Sequence, residues 1–311
     1  MWIKTDTGNL RINKKTGLTI GAFDGVHRGH QALIRTLTSE ARERGFQPLI
    51  LTFDPPPRQV FHPEENGLLS TLDERLALFE PLNVEGVIVL PFDETLIHTP
   101  AEVFVRRLID DLHLGGLWIG ADFSLGKGGR GNVTRLRELG NAYHFEVHVL
   151  NKAVTWRGKP VSSSRIREAV TRGDIEEANG CLGHPYHIRS VVQHGDHRGR
   201  RLGFPTANLY VNPNRLLPPH GVYVCEAHLD QGRYPAVTNV GVRPTFGQRV
   251  PTVEAHLLDF DADIHGHTLR LDFLAHLRAE TRFETAEALI DQMRQDKSEA
   301  RAWWAERHAA S

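Results

Sequence analysis

The spacing of apolar residues changes near residue 183 of this 311-residue chain, and the two patterns call for two different folds. Before that point, apolar runs of strand length alternate with helical periodicity. Residues 17–23 form a short apolar run ending in a glycine-rich turn. Leu33, Ile34, Leu37 and Ala41 then share one helical face, with Gly45 as the stop. Residues 48–53, 84–90, 117–120 and 143–150 read as further strands. Between them, Thr71-Leu72-Asp73-Glu74 and Thr99-Pro100-Ala101-Glu102 each have the form of a capping box that opens a helix. Strands separated by helices predict a doubly wound parallel sheet, with ligands at the carboxyl ends of its strands.

After a helical stretch over 163–182, the helices stop. Strand signals at Tyr186–Gln193, Gly221–Leu229, 234–240, 252–258 and 268–275 follow one another across turns such as His194-Gly195-Asp196. This spacing predicts an antiparallel β-barrel, followed by a C-terminal helix over about 284–308. The expected domains are 1–183 and 184–311, in keeping with a length above the usual ceiling for one core.

Charge narrows the function classes. With 37 basic and 38 acidic residues, broad neutralisation of nucleic-acid phosphates is not expected. No apolar run approaches the roughly eighteen residues of a spanning helix. Residues 1–15 are polar and lack a signal core. Cys181 and Cys225 form neither a disulfide framework nor a Cys-x-x-Cys pair, so a cytoplasmic protein is expected. Histidine is abundant, at 18 residues. The pairs His184/His187, His194/His197 and His265/His267 lack a cysteine pair or a carboxylate at metal spacing, and His144 and His148 read as one face of a strand. Most of these histidines are expected at the surface.

Two segments carry chemistry. Gly21-Ala22-Phe23-Asp24-Gly25-Val26-His27-Arg28-Gly29-His30 ends the first strand and opens the first helix. Glycines let the backbone approach a phosphate, and the helix N-terminus supplies N–H groups. Two imidazoles can stabilise charge as it builds on a transferring phosphate. An ordinary tight turn with surface histidines is the plain alternative. Val161-Ser162-Ser163-Ser164-Arg165-Ile166-Arg167 offers hydroxyls and guanidinium to a triphosphate, although a Ser N-cap alone would explain the serines. In the second half, Thr206 and Asn208 sit two apart on a strand and so share a face, as hard oxygen ligands for Mg²⁺. Gly195, Gly199 and Gly203 give loops able to close over a nucleotide. A turn followed by an edge strand is the alternative there.

Together, His27-x-Gly29-His30 and Ser162-Ser163-x-x-x-Arg167 resemble the paired motifs of the nucleotidylyltransferases. The fuller string from Gly21 to Gln31 resembles the prokaryotic bifunctional riboflavin kinase/FMN adenylyltransferases, or FAD synthetases. So do Thr52-Phe53-Asp54-Pro55, Gly120-Ala121-Asp122-Phe123, Gly126 with Gly131, and Leu182-Gly183-His184-Pro185-Tyr186. Gly203-Phe204-Pro205-Thr206-Ala207-Asn208-Leu209 resembles the riboflavin kinase signature of that family. Asn239-Val240-Gly241-Val242-Arg243-Pro244-Thr245-Phe246 and Val253-Glu254-Ala255-His256 resemble its downstream segments. The likeness runs from about residue 17 to about residue 296.

The resemblance implies a Rossmann-like nucleotidylyltransferase domain ahead of a riboflavin-kinase-type barrel. It implies ATP-dependent phosphorylation of riboflavin to FMN, then adenylylation of FMN to FAD with release of pyrophosphate. Mg²⁺ is the implied cofactor, and the partners are small-molecule flavins and ATP, with no nucleic acid and no membrane. In the adenylyltransferase, His27 and His30 would be catalytic, and Gly21, Phe23, Asp24, Ser163, Ser164 and Arg167 would join them on ATP. Asp54, Asp122 and Phe123 would meet the flavin. In the kinase, Gly199, Gly203, Thr206 and Asn208 would hold ATP and Mg²⁺, and Arg243 and Thr245 the flavin. Glu254 would be the general base, a role needed because the nucleophile is an alcohol. A solvent-facing strand residue, with Val253 and Ala255 inward, would also fit Glu254.

Five positions depart from the family pattern: Ala22 for Asn, Pro56 for His, Leu125 for Phe, Ser164 for Thr and His265 for Tyr. Pro56 removes a phosphate donor, which points to altered adenylylation. Two alternatives stay open: one surviving activity, the kinase, or a flavin-binding module without catalysis.

Overall fold

The computed structural model describes residues 1–6, 12–63, 67–151, 153–194, 203–245 and 248–308. The chain divides into two compact units, Met1–Ser163 and Ser164–Ser311.

The first unit contains β1 (Trp2–Lys4), β2 (Thr16–Ile20), α1 (Arg28–Glu43), β3 (Gln47–Phe53), α2 (Pro57–Phe61), α3 (Leu72–Phe79) and β4 (Gly86–Leu90). It continues through α4 (Glu94–His98), α5 (Ala101–Leu112), β5 (Leu114–Gly120), β6 (Ser124–Leu125), β7 (Gly131–Asn132), α6 (Val133–Tyr143), β8 (Glu146–Leu150), β9 (Thr155–Trp156) and β10 (Lys159–Pro160). Six strands form a parallel sheet in the order β1-β4-β3-β2-β5-β8. Both faces are covered, so alternate residues of β3 enter different cores. Ile50 packs with Ile34 and Phe79, while Leu49 and Leu51 pack with Phe104 and Leu108.

Several local expectations are corrected. β1 lies in the stretch read as a polar N-terminus; three residues are too few to show a period. Residues up to Tyr143 finish α6, and His144 caps it at φ 62°, so His144 and His148 do not share a strand face. The capping box at Thr71 and Glu74 forms, but the one at Thr99 does not. Thr99 instead ends α4 and donates its hydroxyl to Thr95 O at 2.7 Å, leaving Pro100 as the N-cap of α5.

In the second unit, α7 (Ser163–Arg172, beginning at the division) and α8 (Ile175–Leu182) precede β11 (Tyr186–Gln193), β12 (Ala207–Leu209), β13 (Gly221–Leu229), β14 (Gly232–Thr245), β15 (Gln248–Leu257) and β16 (Thr268–Ala279). These six strands close an antiparallel barrel in the order β11-β12-β15-β14-β13-β16. β12 pairs on both sides, so it is not an edge strand, and Thr206 lies just before it rather than on it. The chain then forms a helix over Ala286–His308. His187 and His256 are buried in this unit, and His27 in the first; the other histidines whose side chains are described are half-buried or exposed, in keeping with the expectation that most lie at the surface.

Candidate active sites

β3, β2 and β5 are neighbours, and the chain running on from their carboxyl ends carries Asp54, Gly21 and Asp122. From β2 the sheet grows one way through β3 and β4, and the other way through β5 and β8. This is the switch point at which open α/β sheets bind ligands.

The turn after β2 is strained. Phe23, Gly25 and Val26 have φ of 49°, 75° and 40°. A β-branched residue holds such a value only where its surroundings impose it. Asp24 imposes it from within. Its buried carboxylate accepts from Leu69 N at 3.0 Å, Ser70 N at 2.9 Å and Ser70 Oγ at 3.1 Å. Ser70 Oγ accepts in turn from Gly25 N at 2.7 Å. The Asp24 carboxylate therefore shapes the turn.

Arg75, on α3, secures the opposite side and is only 1% exposed. It donates to Ala22 O at 2.8 Å, Thr52 Oγ1 at 3.0 Å and Phe53 O at 3.1 Å, and lies 3.5 Å from Asp54 Oδ1. Burial lowers its pKa, opposed by the charges of Asp24 and Asp54. A guanidinium stays charged at neutral pH all the same. Sequence reasoning missed Arg75, because an arginine just inside a helix carries no local mark of burial.

His27 ends the turn as the N-cap of α1. Its Nδ1 accepts from Gly29 N at 3.2 Å and His30 N at 3.3 Å. Neutral His27 therefore carries its proton on Nε2. The expectation of open N–H groups is corrected at these two positions: His27 takes them. The rings of His27 and His30 stack at 3.6 Å and 16°. Ser163 Oγ donates to Asp24 O at 3.3 Å. Ser164 and Arg167 lie on α7, in the second unit.

Asp122 is exposed, and Phe123 is half-buried against the sheet core. Sequence reasoning also missed Phe61, which is 57% exposed on α2. Its ring stands edge-on to Phe92 at 5.6 Å, and Phe92 to Phe53 at 5.4 Å. An aromatic shelf thus reaches the residue next to Asp54. Of the departures from the family pattern, Pro56 is the N-cap of α2, Leu125 is buried in the core, and Ala22 offers its carbonyl to Arg75.

The barrel builds its site on strand register. Asn208 of β12 and Asn239 of β14 both lie opposite Glu254 of β15. Residues directly opposite share a face. Val253 and Ala255 are fully buried, so this row faces out of the barrel. The C-terminal helix contributes Leu289, Met293 and Asp296 to a cavity of about 390 Å³ there, whose wall includes Thr206, Asn239 and Glu254. Arg278 Nε and Nη2 each donate to Asp296 at 2.8 Å, joining β16 to the helix. A second cavity of about 390 Å³ is lined by Gln193, Thr206, Asn208, Asp261, Asp263 and His265. His265 stacks on His194 at 3.3 Å. Thr206 thus borders both cavities. Gly203 has φ 84° just before this segment. Gly195, His197 and Gly199 lie outside the described residues, as do the side chains of Arg243 and Thr245 and the whole of Phe246.

A family model for riboflavin kinase matches residues 182–304, and one for FAD synthetase matches residues 10–165. The bifunctional riboflavin kinase/FMN adenylyltransferase of Bacillus subtilis is 35% identical over 92% of this chain and 92% of its own. That of Pseudomonas fluorescens is 37% identical over 91% of each. The chain belongs to this family. Among solved structures, one from Streptococcus pneumoniae, described as a macrolide-efflux protein, superposes with a TM-score of 0.87. It is 29% identical and covers 97% of this chain and 98% of its own. No helix among the described residues is long and apolar enough to cross a membrane. The family's two matched segments carry the two sites described above, the strained turn and the outward row.

Proposed function

We propose that this protein phosphorylates riboflavin to FMN on the barrel and adenylylates FMN to FAD at the parallel sheet. The observation that carries the proposal is Thr206 on the wall between two cavities, with Glu254 in one and Asn208 in the other. A phosphoryl group passing from nucleotide to flavin would cross at that wall. The flavin would occupy the cavity of Glu254, whose carboxylate takes the proton of the ribityl hydroxyl as its oxygen attacks the γ-phosphorus of ATP. The bond to the bridging oxygen breaks and ADP leaves.

Thr206 and Asn208 suit Mg²⁺: both are neutral hard-oxygen donors bordering one cavity, and Mg²⁺ takes few protein ligands beside phosphates and water. When bound, Mg²⁺ neutralises charge on the phosphates. These two residues would hold it.

In the second reaction the nucleophile is the phosphate of FMN, already largely ionised because its second pKa is about 6. It attacks the α-phosphorus of ATP and pyrophosphate leaves, so no general base is required. His27 Nε2–H stabilises the charge, with His30 stacked on it. Ser163, Ser164 and Arg167 complete the triphosphate site in this reading. Asp54, Asp122 and Phe123 receive the flavin with Phe61. Arg243 and Thr245 serve the flavin of the kinase, and Gly199 and Gly203 its nucleotide. The labour divides at 183, supported by family matches that end at 165 and resume at 182. Residence in the cytoplasm is supported by two buried free thiols, Cys181 and Cys225.

The test is a product time course from riboflavin, ATP and Mg²⁺, resolved by chromatography. FMN should appear first and FAD follow. Absence of both products defeats the proposal.

A further inference from the structure

The kinase reading leaves one buried group without a task. His256, on β15, is 8% exposed and sits two residues beyond Glu254, on the same face of the strand. Its Nδ1 lies 2.8 Å from Pro205 O. A carbonyl only accepts, so Nδ1 carries the proton. Burial is the main influence on the pKa of the ring and lowers it; the hydrogen bond to Pro205 opposes that, Lys297 and Arg301 add to it, and the net direction is down, which favours the neutral form. Nε2 is then a bare acceptor, and it is buried with no hydrogen-bond partner among the described residues. The same ring stands edge-on to Phe204 at 5.5 Å and 72°.

One imidazole thus grips both residues that precede Thr206. Proline has no N–H, so its carbonyl is the one backbone hydrogen-bonding group that Pro205 itself offers. The strand that supplies the grip is the strand that carries Glu254. We propose that His256 is a positioning residue: its hydrogen bond to the Pro205 carbonyl sets Thr206 against Glu254 across the wall between the two cavities. A shift of one residue's width is not needed to matter, since a misplacement of about 1 Å can cost about 100-fold in rate.

This inference rests on the kinase reading, and its test separates the two. Kinase kcat, the KM for riboflavin and the rate of FMN adenylylation are measured on the unsubstituted protein and on His256→Phe and His256→Asn. Phe keeps the ring and loses the donor; the Asn amide can reoccupy the place of Nδ1–H. Expected are a fall of about 100-fold in kinase kcat for His256→Phe with a much smaller change in KM, and recovery of most of that loss in His256→Asn. FMN adenylylation should be equal in all three. Should His256→Phe not fold, as judged by circular dichroism, His256→Leu replaces it, having nearly the shape of Asn without the donor. The inference is overturned if the variant lacking the donor keeps kinase kcat within about twofold, or if His256→Asn is equally slow. Failure of the unsubstituted protein to make FMN overturns the kinase reading and this inference with it.

Discussion

The two proposed sites, both read as phosphate-handling, are built differently. At the parallel sheet, the site lies beyond the ends of strands, in a turn with three positive φ values held by Asp24 and Arg75. On the barrel, the site lies along the strands, where register alone puts Asn208, Glu254 and Asn239 in a row. The first needs buried charge to maintain an awkward backbone; the second needs the ladder and a covering helix that the Arg278–Asp296 pair ties to β16. The chemistry differs in the same direction. A phosphate nucleophile needs a cradle, whereas an alcohol needs a base, the part proposed for Glu254 of the outward row.

The largest effect that could break this comparison comes from Glu254→Gln. FMN formation should fall by about 10²–10⁴-fold while conversion of supplied FMN to FAD is unchanged. Equal loss of both rates would mean that the sites are not separate. His27→Ala should mirror it, with FAD formation slowed about 10²–10³-fold and FMN formation intact in the same assay. Arg75→Met sharpens the structural half of the contrast. It removes the donors to Ala22 O, Thr52 Oγ1 and Phe53 O from this side of the turn, so urea unfolding should show a loss of about 3 kcal/mol in the first unit.

The smallest effect concerns pH. Asp272 of β16 is buried, which by itself would raise its pKa, but the hydrogen bond to His228 and the charge of Arg270 outweigh that and lower it from 3.8. A depressed carboxylate contributes stability above its unfolded pKa and loses it as pH falls through the folded value. Thermal unfolding of the protein should therefore lose stability with acid below about pH 4, and Asp272→Asn should flatten that loss. An unchanged acid slope would show that the carboxylate contributes nothing there.

What could be read from the sequence follows the same division. The turn from Gly21 to His30 was legible because its parts are contiguous, and the capping box at Thr71 because both partners lie within one turn. Arg75 was not legible: its four partners come from the ends of β2 and β3, between 21 and 53 residues away in the chain. The Thr99 box failed because a neighbouring helix claimed the threonine hydroxyl first. The outward direction read for Glu254 holds. The residue faces away from the barrel interior, as a solvent-facing residue would, and the C-terminal helix then roofs that face. Periodicity reports which side of a strand a residue occupies, and says nothing of what later covers that side.

Thr206 as a shared wall has a consequence for inhibition. The two ligands proposed for the cavities would meet at one residue, so a single molecule with an adenosine end and an isoalloxazine end would occupy both at once. Once one end is seated, the other is held at an effective concentration set by the tether, and a linker about as long as a phosphate chain would be the right span. Such a molecule would compete with both substrates of the barrel together.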